Sequence, residues 1–283
     1  MEELAVNRHK SYVQSTTDNY QSRFKSFKEW ATEDKNANAA KRCRDVLMHF
    51  LSLRMAQMIE MKRIESIIGS EIRLLDAGCG PGRDLKEFSH MYLTIPMLGP
   101  KHIEIEANNK KCFNPSCSIC ENLQARENKL STMILHKVKV APCGFDPCTG
   151  FVETCRNMGL NVVLADFVNF FDSPQENQNE KQHSTTFHGI FALASLFHLP
   201  KMELEKVLYT FRTHLVPYVG VLLTSIPNGT KDKMGSDGRW KLHLSQSEQI
   251  GMLENAGFEV LFQEQMSIYN GDDWIVLVSV IKS

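Results

Sequence analysis

One segment of the chain, residues 74–84 with the sequence LLDAGCGPGRD, places an acid directly before glycines at every second position. The apolar residues before Asp76 predict a buried parallel strand that ends in a sharp turn. Gly78 and Gly80 permit backbone angles that a Cβ would forbid, and they let a ligand lie against the main chain. Because Asp76 ends the strand and Asp84 adds negative charge to the next helix start, the loop favours a cationic ligand over a phosphate.

Gly82 is expected to let the next helix start close to the strand. The dinucleotide-binding fingerprint differs, because its third glycine comes two residues later and its helix N-terminus points at a pyrophosphate. A glycine-rich turn with a purely structural role in another α/β protein is the alternative interpretation.

Two further acids follow apolar runs. The run 138–141 predicts a strand that ends near Asp146, and the segment 162–165 predicts another that ends at Asp166. A helix between them is expected to begin at Thr149 and to stop at Gly159. Open α/β sheets bind ligands at the carboxyl ends of their strands, so all three acids should meet at one edge. A helix N-cap is the alternative for either later acid alone.

The remaining chain continues the alternation of strands and helices. Apolar runs at 189–194 and 221–226 predict a fourth and a fifth strand, and a helix is expected over 201–214 between them. A helix over 247–256 and strands at 258–263 and 274–281 follow. The pattern predicts an α/β fold with a doubly wound, seven-stranded, mostly parallel sheet that a strand hairpin closes.

The sequence Asp76 to Gly82 resembles motif I, D/E-x-G-x-G-x-G, of the class I S-adenosylmethionine (SAM) methyltransferases, and the likeness runs from Leu74 to Ile281. The resemblance implies a Rossmann-like fold, SAM as cofactor and methyl transfer to an acceptor. It implies that Asp146 binds the ribose hydroxyls and that Asp166 accepts from the adenine amino group. The cofactor-binding residues expected in this way are Asp76, Gly78, Cys79, Gly80, Gly82, Arg83, Asp146, Pro147, Asp166, Phe167, Ala194 and Tyr20.

Three departures from the family pattern stand out. His188 replaces the acid usually found at the start of the fourth strand, and Pro217-Tyr218-Val219-Gly220 replaces a glycine pair before the fifth. About forty-five residues also separate the first helix from the second strand, so residues 91–136 are an insertion or a functional element.

The insertion contains three closely spaced cysteines, Cys112, Cys117 and Cys120. They offer an option for zinc, but only one tight pair is present, so ordinary reduced loop cysteines are the preferred interpretation and no metal is expected. Disulfides are not expected either, because other cysteines fall inside predicted core elements.

Two domains are expected: an N-terminal helical extension over residues 1–70 and a SAM-binding domain over 71–283. Aromatic residues from Tyr20 to Trp30 recur near helical spacing, and residues 42–68 predict a longer amphipathic helix. In the resembling family, helices before motif I fold over the SAM site. A lid and a simple contribution to the core both remain open for this extension.

His198, just after the fourth strand, is the candidate general base, because its usual pKa suits proton transfer. Packing and capping of the following helix are the alternative for this histidine. The loop at 235–243 offers Arg239, Trp240 and His243 on the acceptor side, or it is a plain connection.

A small molecule is the expected acceptor. A tRNA or protein methyltransferase and a catalytically silent SAM-binding or interaction protein remain alternatives. The net charge of −1 over 283 residues argues against nucleic acid as a partner. No apolar run approaches twenty residues, so no membrane span is expected, and a cytoplasmic location follows as an expectation.

Overall fold

The computed structural model describes residues 14–23, 26, 34–60, 71–98, 133–172, 186–235, 238–269 and 272–282. An eight-stranded sheet forms its centre, and a two-stranded ribbon lies apart from it. The main strands are β1 (Glu71–Ala77), β2 (Tyr92–Leu98), β3 (Met133–Asp146), β4 (Val162–Leu164), β5 (Gly189–Ala192), β6 (Val221–Pro227), β9 (Phe258–Tyr269) and β10 (Asp272–Ile281). The ribbon pairs β7 (Lys233–Met234) with β8 (Trp240–Lys241).

The strand order confirms the predicted doubly wound sheet. From one edge it runs β4, β3, β1, β5, β6, β10, β9. The first five strands are parallel to their neighbours, and β10 is antiparallel to both β6 and β9, so a hairpin closes the sheet. The strand order changes direction at β1 and β5, and the crevice beside such a switch point is the usual ligand site of an open α/β sheet.

The eighth strand, β2, was not predicted and belongs to the insertion. It runs antiparallel to the first half of β3, from Tyr92 opposite Lys139 to Leu98 opposite Met133. The second half of β3 pairs with β1 and ends at Asp146. The described ends of the insertion therefore extend the sheet away from the carboxyl ends of its strands.

Seven helices are described around the sheet. They are α1 (residues 14–23), α2 (Asp34–Glu60), α3 (Arg83–Ser89), α4 (Thr149–Asn157), α5 (Asn169–Asp172), α6 (Lys201–His214) and α7 (Gln246–Asn255). A short 3-10 helix, Leu196–His198, follows β5. α6 and α7 confirm two predicted helices almost to the residue, because α6 carries a clear apolar face and α7 starts with a capping box at Ser245.

The long helix α2 is part of the core. It packs across β2, β5, β6, β9 and β10. Leu47, Leu51, Met55 and Met58 on one side of it are almost fully buried. The core interpretation therefore holds for α2, whereas α1 lies over the carboxyl edge of the sheet, as described below.

Two of the three departures from the family pattern, His188 and Tyr218, lie at the opposite edge of the sheet, where its parallel strands begin. The His188 Nδ1 atom accepts a hydrogen bond from the Arg73 backbone N–H at 3.0 Å, which joins β1 to the start of β5. Tyr218 adopts a left-handed conformation with φ of 67°, and its carbonyl accepts a hydrogen bond from Arg54. His188 therefore supports the sheet at the place of the usual acid, and Tyr218 does so at the place of the usual glycine pair.

Two arginines in the first half of α2 form ion pairs with other elements. Arg44 is buried and forms an ion pair with Asp84, and Arg42 pairs with Glu264 of β9. These pairs join α2 to the rest of the domain. Among the described helices, none combines the length and the apolar character needed to cross a membrane.

Candidate functional site

A cavity of about 630 Å³ lies at the carboxyl edge of the sheet. The loops after β1, β3 and β4 line one half of the cavity, which we call the acidic half. Helix α1, the turn at 196–199 and the segment 239–243 line the other half, which we call the basic half. The sequence-predicted residues that line the cavity are Asp76, Gly78, Cys79, Gly80, Arg83, Asp146, Pro147, Asp166, Phe167, Ala194, Tyr20, His198, Arg239 and His243.

Two sequence-predicted residues do not line the cavity. Gly82 starts α3 with φ of 83°, and a Cβ there would lie 2.6 Å from the Cys155 Sγ atom, so its role is to let α3 and α4 approach. Trp240 acts through its backbone, since its carbonyl bonds to His198 and its N–H donates to the Thr16 hydroxyl.

Asp76, at the end of β1, is a buried carboxylate with an unsatisfied oxygen. The side chain is only 5% exposed, and its Oδ2 atom has no hydrogen-bond partner within the described chain. Burial and then the charge of Asp84 raise the pKa of Asp76 well above its usual value. A cation placed in the cavity would relieve this cost, because an opposite charge favours the ionised carboxylate.

Asp146 holds the glycine loop against the end of β3. Its Oδ2 accepts from the Gly80 N–H at 2.9 Å, and its Oδ1 accepts from the Cys148 N–H at 2.8 Å. Burial raises the pKa of Asp146 to about 6, although these two backbone hydrogen bonds act in the opposite direction. Each oxygen retains a second lone pair, so the carboxylate can accept two more hydrogen bonds.

Asp166 is a helix cap. Its Oδ1 accepts from the backbone N–H groups of Val168 and Asn169, and its Oδ2 accepts from the Asn169 side chain. The N-cap alternative raised from the sequence therefore holds for this acid. Asp166 still lines the cavity beside Phe167, so a contact with a base remains a prediction.

Asp84 does not act as an uncompensated negative charge, contrary to the sequence-based expectation. It forms ion pairs with Arg44 and with Arg83, the latter at 2.6 Å. Arg44 lies forty residues earlier, on α2, so the pair fixes that helix against the glycine loop. Because Asp84 is ion-paired, the unsatisfied carboxylate that favours a cation is Asp76, whose pKa the charge of Asp84 still raises.

The first two glycines of the loop have different roles. A Cβ on Gly78 would lie 2.6 Å from the Ser195 Cβ atom, so Gly78 lets β1 and the end of β5 meet. A Cβ on Gly80 would meet no protein atom within 4 Å, although its φ of 53° favours glycine. Gly80 therefore borders open space at the cavity, where a ligand can approach the backbone.

The end of β5 is held in a strained conformation. Ala194 has φ of 51°, and its N–H donates to the Ser225 hydroxyl at 2.7 Å. Ser195 is buried, and its hydroxyl has no hydrogen-bond partner within the described chain. Left-handed non-glycine residues cluster at functional sites, and the unsatisfied hydroxyl likewise faces the cavity region.

A hydrogen-bonded group of three side chains forms the centre of the basic half. The His198 Nδ1 atom lies 2.8 Å from the Trp240 carbonyl, which can only accept, so Nδ1 carries the proton. His198 Nε2 therefore accepts from the Tyr20 hydroxyl at 2.7 Å. The same hydroxyl accepts from an Arg239 N–H at 2.9 Å, and the guanidinium lies 5.2 Å from the Tyr20 ring centre.

Helix α1 closes over this half through further contacts with distant segments. Ser15 donates to the Gly238 carbonyl at 2.9 Å, and Gln21 accepts from the Gly150 N–H at 3.3 Å. The Tyr20 ring also packs on Phe151 of α4. Helix α1 therefore covers this half of the cavity, and its action as a lid stays a prediction.

Some cavity residues were missed from the sequence. They are Thr16, Thr17, Arg23 and Ser26 near α1, Leu193, Ser195, Phe197 and Leu199 after β5, and Lys241 and Trp274. Lys241 had a signal, because it lies two residues after Arg239 in an extended segment and so shares its face. Thr16, Thr17 and Arg23 also had one, because they lie three or four positions from the predicted residue Tyr20 and so share its helix face.

The three insertion cysteines Cys112, Cys117 and Cys120 lie outside the described residues. Within the described residues no cluster of histidine, cysteine and acidic side chains has the arrangement of a metal site. The cysteines that are described are reduced and buried.

No protein-family model matches the sequence, and no curated protein sequence matches it. Solved structures do resemble it. One is the 1,6-didemethyltoxoflavin N1-methyltransferase of Burkholderia thailandensis with bound S-adenosylhomocysteine (SAH), at 12% identity and a TM-score of 0.56 over 97% of this chain and 91% of that one. Another is DhpI with SAH, at 13% identity and a TM-score of 0.50 over 96% and 97%.

Magnesium protoporphyrin IX methyltransferase of Synechocystis PCC 6803 with SAH gives 12% identity and a TM-score of 0.50, over 94% of this chain and 97% of that one. The similarity spans nearly the full length of both chains in each case. The chain therefore has the Rossmann-like fold of the class I SAM-dependent methyltransferases.

Proposed function

We propose that this protein is a SAM-dependent methyltransferase that acts on a small molecule. The observation that carries the proposal is the unsatisfied, buried Asp76 carboxylate beside an open glycine backbone, at the switch point of a methyltransferase fold. SAM carries a sulfonium and an α-amino group, so it supplies the positive charge that Asp76 lacks. The structural neighbours crystallised with SAH support the same cofactor.

The residues of the acidic half fit the remaining parts of that cofactor. Asp146 has two lone pairs still available for the ribose hydroxyls, and the loop it fixes presents Gly80 to the ligand. Phe167, buried beside Gly78, offers an apolar surface for a base. The backbone supplies most of this site, so the sheet positions it before any ligand binds.

When bound, SAM supplies a methyl group that its sulfonium has already activated. The protein is then left with orienting the acceptor and excluding water. Helix α1 performs the second task, since Thr16 and Tyr20 line the cavity beneath it. The turn at 196–199 and Arg239 border the acceptor position, and the unusual Ala194 backbone shapes the wall between the two halves.

We propose that His198 accepts the proton that leaves the acceptor and that Tyr20 takes part in this transfer. Its Nε2 atom already accepts from the Tyr20 hydroxyl, so a proton that leaves the acceptor would reach the imidazole by way of Tyr20 or after α1 moves. The Trp240 carbonyl keeps the proton on Nδ1 and so keeps Nε2 basic.

The small-molecule acceptor is supported by the size and closure of the cavity. A volume of about 630 Å³ is typical of small-molecule sites, and α1 covers it. His188 and Tyr218, which depart from the family pattern, lie at the amino-terminal edge of the sheet and do not line the cavity, so they do not argue for a silent protein.

Calorimetry on Asp76→Asn tests the cofactor assignment. Loss of the buried charge should weaken SAM binding by about 30-fold or more, since removing one partner of a buried charge pair costs about 2–5 kcal/mol. The exposed Asp232→Asn is the matched control and should bind SAM normally. Stability of the ligand-free protein should not fall in Asp76→Asn, because the amide removes a carboxylate whose pKa burial raises. Equal affinity in both variants would contradict the assignment.

Incubation with methyl-labelled SAM and a fractionated cell extract tests the acceptor class. Label in the low-mass fraction supports the proposal, whereas label in RNA or protein supports one of the macromolecular alternatives. SAM binding without any labelled product would favour a silent binding protein.

A further inference from the structure

Charge is segregated across the cavity. The acidic half holds all four acids among the described lining residues, Asp76, Asp84, Asp146 and Asp166, together with Arg83, which pairs with Asp84. In the basic half the described lining cations are Arg23, Arg239 and Lys241, with the imidazoles of His198 and His243 beside them. Two of these cations, Arg239 and Lys241, are half-buried, and partial burial of a charge costs free energy unless hydrogen bonds or an opposite charge offset it.

Three of these residues come from one extended segment with a period of two. Arg239, Lys241 and His243 line the cavity, whereas Leu242 and Leu244 between and after them are buried in the core. Successive side chains of an extended chain point to opposite faces, so the burial of the leucines directs the cationic residues to the cavity. The pattern is therefore built into the segment and is not an accident of flexible side chains.

Backbone hydrogen bonds hold this segment in place. The Leu242 N–H donates to the Phe197 carbonyl at 2.7 Å, and the Leu244 N–H donates to the Pro227 carbonyl at 3.1 Å. Tyr20 holds the Arg239 guanidinium against its ring and hydroxyl. Arg239, Lys241 and His243 are all half-buried, a setting in which an ionic contact with a ligand is less screened than at the open surface.

We propose that the acceptor carries an anionic oxygen group, a carboxylate or a phosphate, which Arg239 and Lys241 bind. This inference rests on the methyl transfer proposed above and adds the chemical class of its acceptor. Guanidinium and ammonium groups are the side chains best suited to bind such anions. An anion bound there would lie beside Arg239 and Lys241, whereas the cationic cofactor would lie beside Asp76, so each ligand would match the charge of the end of the cavity where it binds.

Titration of the SAH-saturated protein with benzoate, phenyl phosphate and benzyl alcohol tests the proposal, because the three share a ring and differ in charge. At least one anion should bind about tenfold or more tightly than the alcohol at low salt, and the stronger anion identifies the source of the charge. Lys241→Gln should remove this preference. Lys231 is exposed and lies outside the cavity lining. Lys231→Gln makes the same change in net charge and should keep the preference for the anion over the alcohol.

SAH affinity, measured for each variant, separates failure of this inference from failure of the proposed function. A wild-type protein that does not bind SAH contradicts the methyltransferase proposal itself. Normal SAH binding with no preference for the anions, with no binding of any of the three compounds, or with an equal preference in Lys241→Gln overturns the anionic acceptor.

Discussion

The two halves of the cavity are built in different ways. In the acidic half, short loops at the ends of neighbouring parallel strands present backbone groups and buried carboxylates, so the sheet itself sets their positions. In the basic half, α1 and the segment 239–243 meet through side-chain hydrogen bonds between residues more than 200 positions apart. The first half is therefore preorganised, whereas the second depends on the docking of a helix.

This difference separates two kinds of defect. Changes in the acidic half should act on cofactor affinity, since the loops there exist whether or not α1 is closed. Changes in the basic half should act on transfer to the acceptor and leave the cofactor bound. The following predictions test that division, in order of decreasing effect.

Gly80→Val should abolish SAM binding and leave the protein folded. The new side chain enters space that no protein atom fills, which is where the ligand meets the backbone. Gly159→Val is a matched control, because Gly159 also has a positive φ and open surroundings but ends α4 away from the cavity. Both variants should lose about 1–2 kcal/mol of stability from left-handed strain. Calorimetry measures the SAM affinity of each variant, and thermal unfolding measures its stability. Normal SAM binding by Gly80→Val would refute the assignment of this loop to the cofactor site.

His198→Ala should lower the rate of methyl transfer by up to ~10²–10⁴, the range typical of a general base, with little loss of SAM affinity. Tyr20→Phe serves as the comparison, since it keeps the ring contacts and removes both hydroxyl hydrogen bonds. Rates should be measured over a pH series. A His198→Ala rate within a few-fold of wild type at every pH would leave the histidine as a packing residue.

SAM affinity should fall as the pH is lowered through about 6. Burial raises the pKa of Asp146 to about 6, and only the ionised carboxylate offers both oxygens to the ribose hydroxyls. Affinity should therefore drop by about tenfold per pH unit below that value. Asp146→Asn should bind SAM weakly above pH 6. The slope of the logarithm of its SAM affinity against pH should be smaller than that of the wild type by about one proton. An unchanged slope in that variant would assign the pH dependence to other groups, with Asp76 the next candidate.

The raised pKa of Asp146 also affects stability. The folded protein binds this proton more tightly than the unfolded chain does, so the contribution of Asp146 to stability falls as the pH rises from about 4 to 6. Asp146→Asn should flatten that part of the stability curve of the ligand-free protein, as measured by denaturant unfolding.

Replacement of residues 99–132 by Asn-Gly should have the smallest effect. Leu98 and Met133 are paired across β2 and β3, so a two-residue turn can join them. Because β2 pairs with the amino-terminal half of β3, away from the cavity, SAM affinity should stay within about twofold of wild type. A large loss of affinity, with the thermal midpoint preserved, would place the insertion at the cofactor site after all.

Much of the acidic half could be predicted from the sequence, and little of the basic half. Asp76 and Asp146 were placed correctly at strand ends, because apolar runs and turn residues are local signals. The role of Asp166 was left open, since a cap and a ligand contact use the same carboxylate in the same place. Lys241 and Arg23 were missed, because only the packing of their segments brings them to the cavity.

The sequence by itself determined the strands, their acids and the glycine loop, since each depends on residues that are neighbours along the chain. Only the tertiary structure decided that Arg44 pairs with Asp84, that α2 is core while α1 covers the cavity, and that Tyr20 joins Arg239 to His198. Those contacts join residues forty to more than two hundred positions apart. Their formation depends on how helices pack on the finished sheet, and no local pattern of residue types records that packing.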